Sequence, residues 1–173
     1  MKNLEEFIRD VPDFPIDGIV FKDITTLLKD KLGFEYTLDN LYKACNNKGI
    51  TKVVGIEARG FIFGGALASK LGVGFVPIRK PGKLPAEKLQ EEYTLEYGTD
   101  KIEIHKDAIG PNEVVLLHDD LLATGGTMSA ACRLIEKMGA RIAQISFIIE
   151  LDFLNGRNLL KDYEIHSLIN YTD

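Results

Sequence analysis

Two adjacent carboxylates, Asp119 and Asp120, are separated by only Leu121 and Leu122 from the small, hydroxyl-bearing run Ala123-Thr124-Gly125-Gly126-Thr127. The glycines let a backbone approach an anion without Cβ atoms in the way, and the threonines add hydroxyl donors. If a helix starts here, its first amides have no partner of their own and the helix dipole favours negative charge. The run lacks the lysine of a P-loop and the spacing of a dinucleotide fingerprint. Two acids beside an anion site make sense if they do not touch the anion. Carboxylates accept hydrogen bonds from sugar hydroxyls and order hydrated Mg²⁺. A ligand with a ribose, a monophosphate and a metal-bound polyphosphate would use both features. The bland alternative is an ordinary glycine turn with Thr127 as the helix cap.

A second anion cradle is Glu57-Ala58-Arg59-Gly60, again between an apolar run and a small-residue helical stretch. Arg79, Lys80 and Lys83 lie in RKPGKLPAEKLQEE, residues 79–92, a charged and proline-bearing segment without apolar periodicity. It leads into a hairpin signal, YTLEY and KIEIH flanking Gly98-Thr99-Asp100, which carries Glu96 and Tyr97. A mobile lid fits that stretch; the alternative is a solvated loop. Cys45 and Cys132 have no metal spacing and read as reduced, buried thiols.

The elements that must hold these groups follow from patterning. Leu4, Phe7, Ile8 and Val11 recur at helical spacing up to Pro12, and PDFPIDGIVFKD then reads as a loop. A helix is predicted from Phe34 to about Asn47. Strands are predicted at 52–56, 74–78, 113–118 and 141–149, with helices at 61–71 and from Met128 to Gly139. Strands alternating with helices predict an α/β fold, a single-domain, mainly parallel twisted sheet flanked by helices. The 173-residue length fits one domain. A net charge of −5 argues against a general nucleic-acid surface. No apolar run approaches the roughly 20 residues of a membrane span, and no signal peptide is evident. The expected address is the cytoplasm, with no membrane partner.

The order apolar strand, two Asp, two apolar residues, ATGGT resembles the phosphoribosyl pyrophosphate signature of the type I phosphoribosyltransferases. DFPIDGIVFKDIT at 13–25, GIEARGFIFG at 55–64, RKPGKLP at 79–85 and LEYGTDKIEIHKDAI at 95–109 extend the resemblance over most of the chain. His118 stands where the family usually has an aliphatic residue, and it is expected to pack with its polar edge solvated. Thr26 replaces a common Pro, and Ile16-Asp17 a Lys-Pro-like pair.

The resemblance implies the type I phosphoribosyltransferase fold with a small hood from residues 1–30 and a lid from 79–105. It implies that adenine and phosphoribosyl pyrophosphate (PRPP) give AMP and pyrophosphate with Mg²⁺, in a homodimer. Ala123, Thr124, Gly125, Gly126 and Thr127 would take the 5′-phosphate; Asp119 and Asp120 would face the ribose and the metal. Glu57, Ala58, Arg59, Arg79, Lys80 and Lys83 would meet pyrophosphate, and the 57–58 peptide is commonly cis in such chains. Val20, Phe21, Lys22 and Leu151 would hold adenine, and Glu96 would move the proton. Three rivals stay open at this point: a transferase for hypoxanthine, guanine or xanthine, a nucleic-acid-binding sensor of PRPP, and a phosphotransferase.

Overall fold

Short β-rich apolar runs separated by helices build the central layer of the molecule. A computed structural model of the chain describes residues 3–94 and 98–172. In chain order the strands and helices are β1 (Arg9–Pro12), β2 (Val20–Asp23), α1 (Thr25–Lys29), α2 (Lys31–Cys45), β3 (Lys52–Ile56), α3 (Gly60–Leu71), β4 (Gly74–Ile78), β5 (Lys88–Thr94), β6 (Thr99–His105), β7 (Val114–Leu122), α4 (Gly126–Lys137), β8 (Arg141–Leu151) and β9 (Ile165–Tyr171). Two compact units are defined, 1–40 and 41–173.

In the 41–173 unit, five strands form one sheet in the order β4-β3-β7-β8-β9, all parallel. β7 is central, and its Val115, Leu116 and Leu117 are fully buried. Alternate residues divide the sheet between two faces. Val54, Ile56, Val115 and Leu117 join a core with α4 residues Ala131, Leu134 and Ile135 and with Ile102 and Ile104 of β6. Gly55, Phe75 and His118 lie beneath α3: a Cβ on Gly64 there would be 2.9 Å from Phe75 and 3.7 Å from His118. β5 and β6 form a separate antiparallel hairpin, joined to the end of β4 by paired backbone bonds between Arg79 and Glu103 (2.9 and 2.7 Å).

The predicted strands at 52–56 and 74–78 and the helix closed by Gly72 are found as read. The N-terminal reading needs correction. Only Leu4–Phe7 is helical, as a 3₁₀ turn, and Arg9–Pro12 pairs antiparallel with Val20–Asp23. An isolated helix this short is marginal. The strand gains a full backbone ladder and sets Arg9 opposite Asp23, with Arg9 Nε donating to Asp23 Oδ2 at 3.0 Å. Val20, Phe21 and Lys22 are therefore strand residues rather than loop residues. Residues 88–92, assigned to the charged segment, belong to β5. β7 runs four residues beyond the predicted end at 118, so both acids lie inside the strand.

Candidate active site

β7 ends in the loop that the sequence singles out, at the carboxyl edge where open parallel sheets present their ligand sites. Gly125 has φ +82 and caps α4, with no side chain bonded to the helix start. The first ladder bond there is Ser129 N to the Gly125 carbonyl at 2.9 Å, so the amides of 126–128 precede the helical ladder. A cavity of about 90 Å³ opens on this turn, lined by Asp119, residues 121–128 and Phe147. That is room for a small group such as an anion.

The two acids differ in surroundings. Asp120 is 5% exposed and Asp119 half-buried. Asp119 Oδ1 accepts the Asp120 amide at 2.9 Å, while Asp120 Oδ2 accepts Arg59 Nε at 2.6 Å. Burial, and after it the charge of Asp120, push the Asp119 carboxyl well above the ordinary carboxylate range. Burial raises Asp120 as well, with Arg59 the main opposing influence. The β3–α3 turn can approach so closely because residue 60 is glycine: a Cβ would lie 2.9 Å from Asp119 Oδ1 and from the His118 carbonyl. The two cradles read separately in the sequence are one site, joined through Arg59 and Asp120. The Glu57–Ala58 peptide is cis, as the resemblance implies.

Glu57 has a task that sequence reading missed. Its carboxylate accepts Arg79 Nε and Nη2 (3.2 and 3.1 Å) and the Lys80 amide (2.9 Å). Burial works against its charge, but these bonds and the Arg79 and Lys83 charges hold the carboxyl below its usual range. Lys80 Nζ reaches Tyr93 Oη at 2.7 Å and pairs with Asp100, which also accepts Tyr93 Oη at 3.0 Å. Lys83 is exposed. Buried Glu103 accepts the Gly82 amide at 3.1 Å and pairs with Lys88 at 3.3 Å, fixing the segment between them. β5 is docked on α4: Arg133 bonds Glu91 Oε2 and the Glu92 carbonyl, both at 3.0 Å, and Lys137 also pairs with Glu91.

His118 is a correction. It is fully buried rather than solvated at its edge, with Nδ1 2.9 Å from Ser146 Oγ and Nε2 without a protein partner. It lies under α3 because β7 alternation points it to the face opposite Leu117. Glu96 lies outside the described residues. Val20, Phe21 and Lys22 belong to the 1–40 unit, where Phe14 and Phe21 meet edge to face at 5.2 Å and Lys22 Nζ bonds Asp10 at 2.8 Å. Leu151 ends β8 in the other unit.

Residues 26–165 match the family model of the phosphoribosyl transferase domain, which sets the class as a phosphoribosyltransferase. An adenine phosphoribosyltransferase of Phocaeicola vulgatus is 59% identical over 169 residues, covering 97% of each chain. The crystal structure of adenine phosphoribosyltransferase from Thermoanaerobacter pseudethanolicus superposes with a TM-score of 0.95 at 53% identity, covering 97% of this chain and 98% of that one. The Saccharomyces cerevisiae enzyme, solved with an imino-altritol bisphosphate and adenine, gives a TM-score of 0.90 at 41% identity, covering 95% and 96%. The chain belongs to the adenine phosphoribosyltransferase family.

Proposed function

We propose that the β7–loop–α4 unit is where this chain carries out its family's reaction, transfer of the 5-phosphoribosyl group from PRPP to adenine, giving AMP and pyrophosphate for purine salvage. The observation that carries the reading is the pair Asp119 and Asp120 beside a 90 Å³ anion-sized cavity walled by residues 123–127. The amides and threonines of that loop hold the 5′-phosphate, and the two carboxylates accept the ribose hydroxyls. Breaking of the bond from the anomeric carbon to pyrophosphate runs ahead of formation of the bond to the purine nitrogen. Positive charge on the ribose and negative charge on the leaving group develop together, so catalysis is positioning plus charge stabilisation.

Arg59, Arg79, Lys80 and Lys83, with the backbone of Glu57 and Ala58, receive the pyrophosphate. Three of these cations are already placed by acids: Arg59 by Asp120, Arg79 by Glu57, and Lys80 by Asp100. Their exchange from protein carboxylate to pyrophosphate accompanies binding. Adenine recognition is assigned to Val20, Phe21, Lys22 and Leu151, as the resemblance implies. A backbone acceptor for the amino group rejects a 6-oxopurine, which presents the wrong partner. Glu96 accepts the proton that the purine loses on glycosylation. The 1–30 hood and 79–105 lid exclude water during transfer.

Among the described residues, no three histidine, cysteine or carboxylate groups converge as a metal-holding set. Two carboxylates, one engaged by Arg59, fit an ion that arrives on substrate oxygens and keeps its waters better than a resident one. Asp119 and Asp120 would order those waters. When bound, Mg²⁺ offsets charge on the departing pyrophosphate. No helix among the described residues is long and apolar enough to cross a membrane. A cytoplasmic homodimer without nucleic-acid partners completes the reading. The test is purified protein with Mg²⁺, PRPP and each purine base in turn. AMP and pyrophosphate from adenine alone are expected; a nucleotide made only from 6-oxopurines overturns the substrate assignment.

A further inference from the structure

Glycine stands at 156 for a reason that backbone conformation does not supply. Gly125 adopts a left-handed φ, and Gly156 does not. Space is what excludes a side chain at 156: a Cβ would overlap the Ala123 carbonyl oxygen and lie 2.9 Å from Leu122 Cδ1. The approach is reciprocal. A Cβ on Gly125 would lie 2.5 Å from the Gly156 carbonyl oxygen and 3.2 Å from its carbon. Two stretches distant in the sequence lean backbone to backbone at the phosphate loop.

The 152–159 segment is poorly equipped to hold that position alone. It consists of two short 3₁₀ turns, Asp152–Leu154 and Gly156–Leu159, and Phe153, Leu154 and Leu159 are exposed. Such turns have weak internal hydrogen bonding. A fixed point comes from β8, where Glu150 is 2% exposed and sits beside Leu122 in the strand register. Arg157 donates from Nε and Nη2 to the two Glu150 oxygens (2.5 and 2.7 Å), and Ser167 Oγ on β9 donates to Oε2 at 2.6 Å. A bidentate guanidinium–carboxylate pair fixes direction as well as distance.

We propose that Glu150, Arg157 and Ser167 are positioning residues for the sugar-phosphate site: they hold Gly156 against the 122–125 backbone and thereby set the width of the loop that takes the 5′-phosphate. The inference deepens the reading of 123–127 as the phosphate site and rests on it. None of the three residues touches substrate; they act through Gly156.

The experiment is calorimetric titration of ribose 5-phosphate into the wild-type chain and into Gly156→Ala, Arg157→Ala, Arg157→Lys and Ser167→Ala, with KM for PRPP and for adenine and melting curves measured alongside. Loop displacement predicts ribose 5-phosphate affinity about 10- to 10²-fold weaker in Gly156→Ala and Arg157→Ala. KM for PRPP should rise with it while KM for adenine holds. Arg157→Lys should recover part of the loss, since it keeps the charge but not the fork. Where Gly156→Ala does not fold, Arg157→Lys and Ser167→Ala, which add no atom at the backbone contact and only loosen what holds it, decide. A wild-type chain that does not bind ribose 5-phosphate removes the phosphate-loop reading and this inference with it. Wild-type binding matched by every folded variant leaves that reading standing and overturns the brace alone. A loss equal for both substrates and proportional to the fall in melting temperature overturns it too.

Discussion

Asp120 Oδ2 and Arg59 Nε lie 2.6 Å apart, and this contact joins the turn after β3 to the acidic end of β7. Arg59 is thus both the countercharge of buried Asp120 and the proposed ligand of pyrophosphate. Burial raises both carboxyls, and the Arg59 charge opposes that rise at each. On the proposed reading, ribose hydroxyls would donate to the same carboxylates when Arg59 turns to pyrophosphate.

The first prediction concerns Asp119. Its folded-state carboxyl is raised well above 3.8, by burial first and by Asp120 next, so the folded chain holds the proton more tightly than the unfolded chain. Stability therefore falls as pH rises from about 3.8 through the folded value, and the penalty is full above it. Asp119→Asn removes the charge and keeps an oxygen for the Asp120 amide. The variant should melt higher at pH 7–8, by about 2–4 °C for each kcal/mol relieved, while losing turnover. Melting curves at pH 8 and pH 4 check it: the gain should shrink at the acid end. A lower melting point at pH 8 would refute the buried-charge account.

Lys80 supplies the second. Its ammonium is shared between Asp100 and Tyr93, and burial, which would lower its pKa, is outweighed by those two bonds. On the proposed reading, pyrophosphate would compete with Asp100 for it. The pair is partly exposed, at 41% and 33% of the two side chains, so the competition is worth about 0.2–1 kcal/mol. Asp100→Asn should tighten pyrophosphate by up to about fivefold, measured as product inhibition, and slow its release. Unchanged or weaker inhibition would mean that Lys80 stays on the hairpin.

A third follows from His118. Burial drives its pKa from 6.5 down to about 4, so the folded chain keeps it neutral while an unfolded chain takes a proton below 6.5. Its contribution is intact above 6.5 and is lost as pH falls toward 4. At about 1.4 kcal/mol per pH unit, the interval corresponds to roughly 3 kcal/mol. His118→Leu should flatten the fall in melting temperature between pH 6.5 and 4, and it removes a buried Nε2 with no protein partner. Equal slopes for variant and wild type would contradict this.

What could be read in advance divides along physical lines. β3, α3 and β4 were legible because their apolar runs and glycine stop are local signals. The extension of β7 was not, because Asp119 and Asp120 end the apolar run although the backbone ladder continues to Leu122 beside β8. β9 was missed because an edge strand of mixed polarity, with Asn170 exposed and one fully buried residue, carries no alternation strong enough to stand out. In the candidate site, residue types marked the 123–127 loop and the 57–60 turn, which the fold brings together. Partnerships did not: Glu57 with Arg79, Asp100 with Lys80, and Glu150 with Arg157 are choices among many acids and bases, made by chain crossings. His118 misled because a lone histidine in a strand gives no sign of which face of the sheet it will meet.

The last prediction is for Glu96, which lies outside the described residues. Its flanks give the reason to test it. Thr94 ends β5 with its carbonyl 3.4 Å from where a Cβ on Gly126 would be, and β5 is tied to α4 through Glu91, Arg133 and Lys137. Thr94, the last described residue before it, therefore lies beside the start of α4. A general base acts on the proton in transit and not on the anchoring of the sugar phosphate. Glu96→Gln should lower kcat by about 10²–10⁴-fold and leave KM for PRPP within a small factor, whereas loss of a loop contact should do the reverse. Full turnover in Glu96→Gln would move the proton to another acceptor and leave the anion cradles as they are.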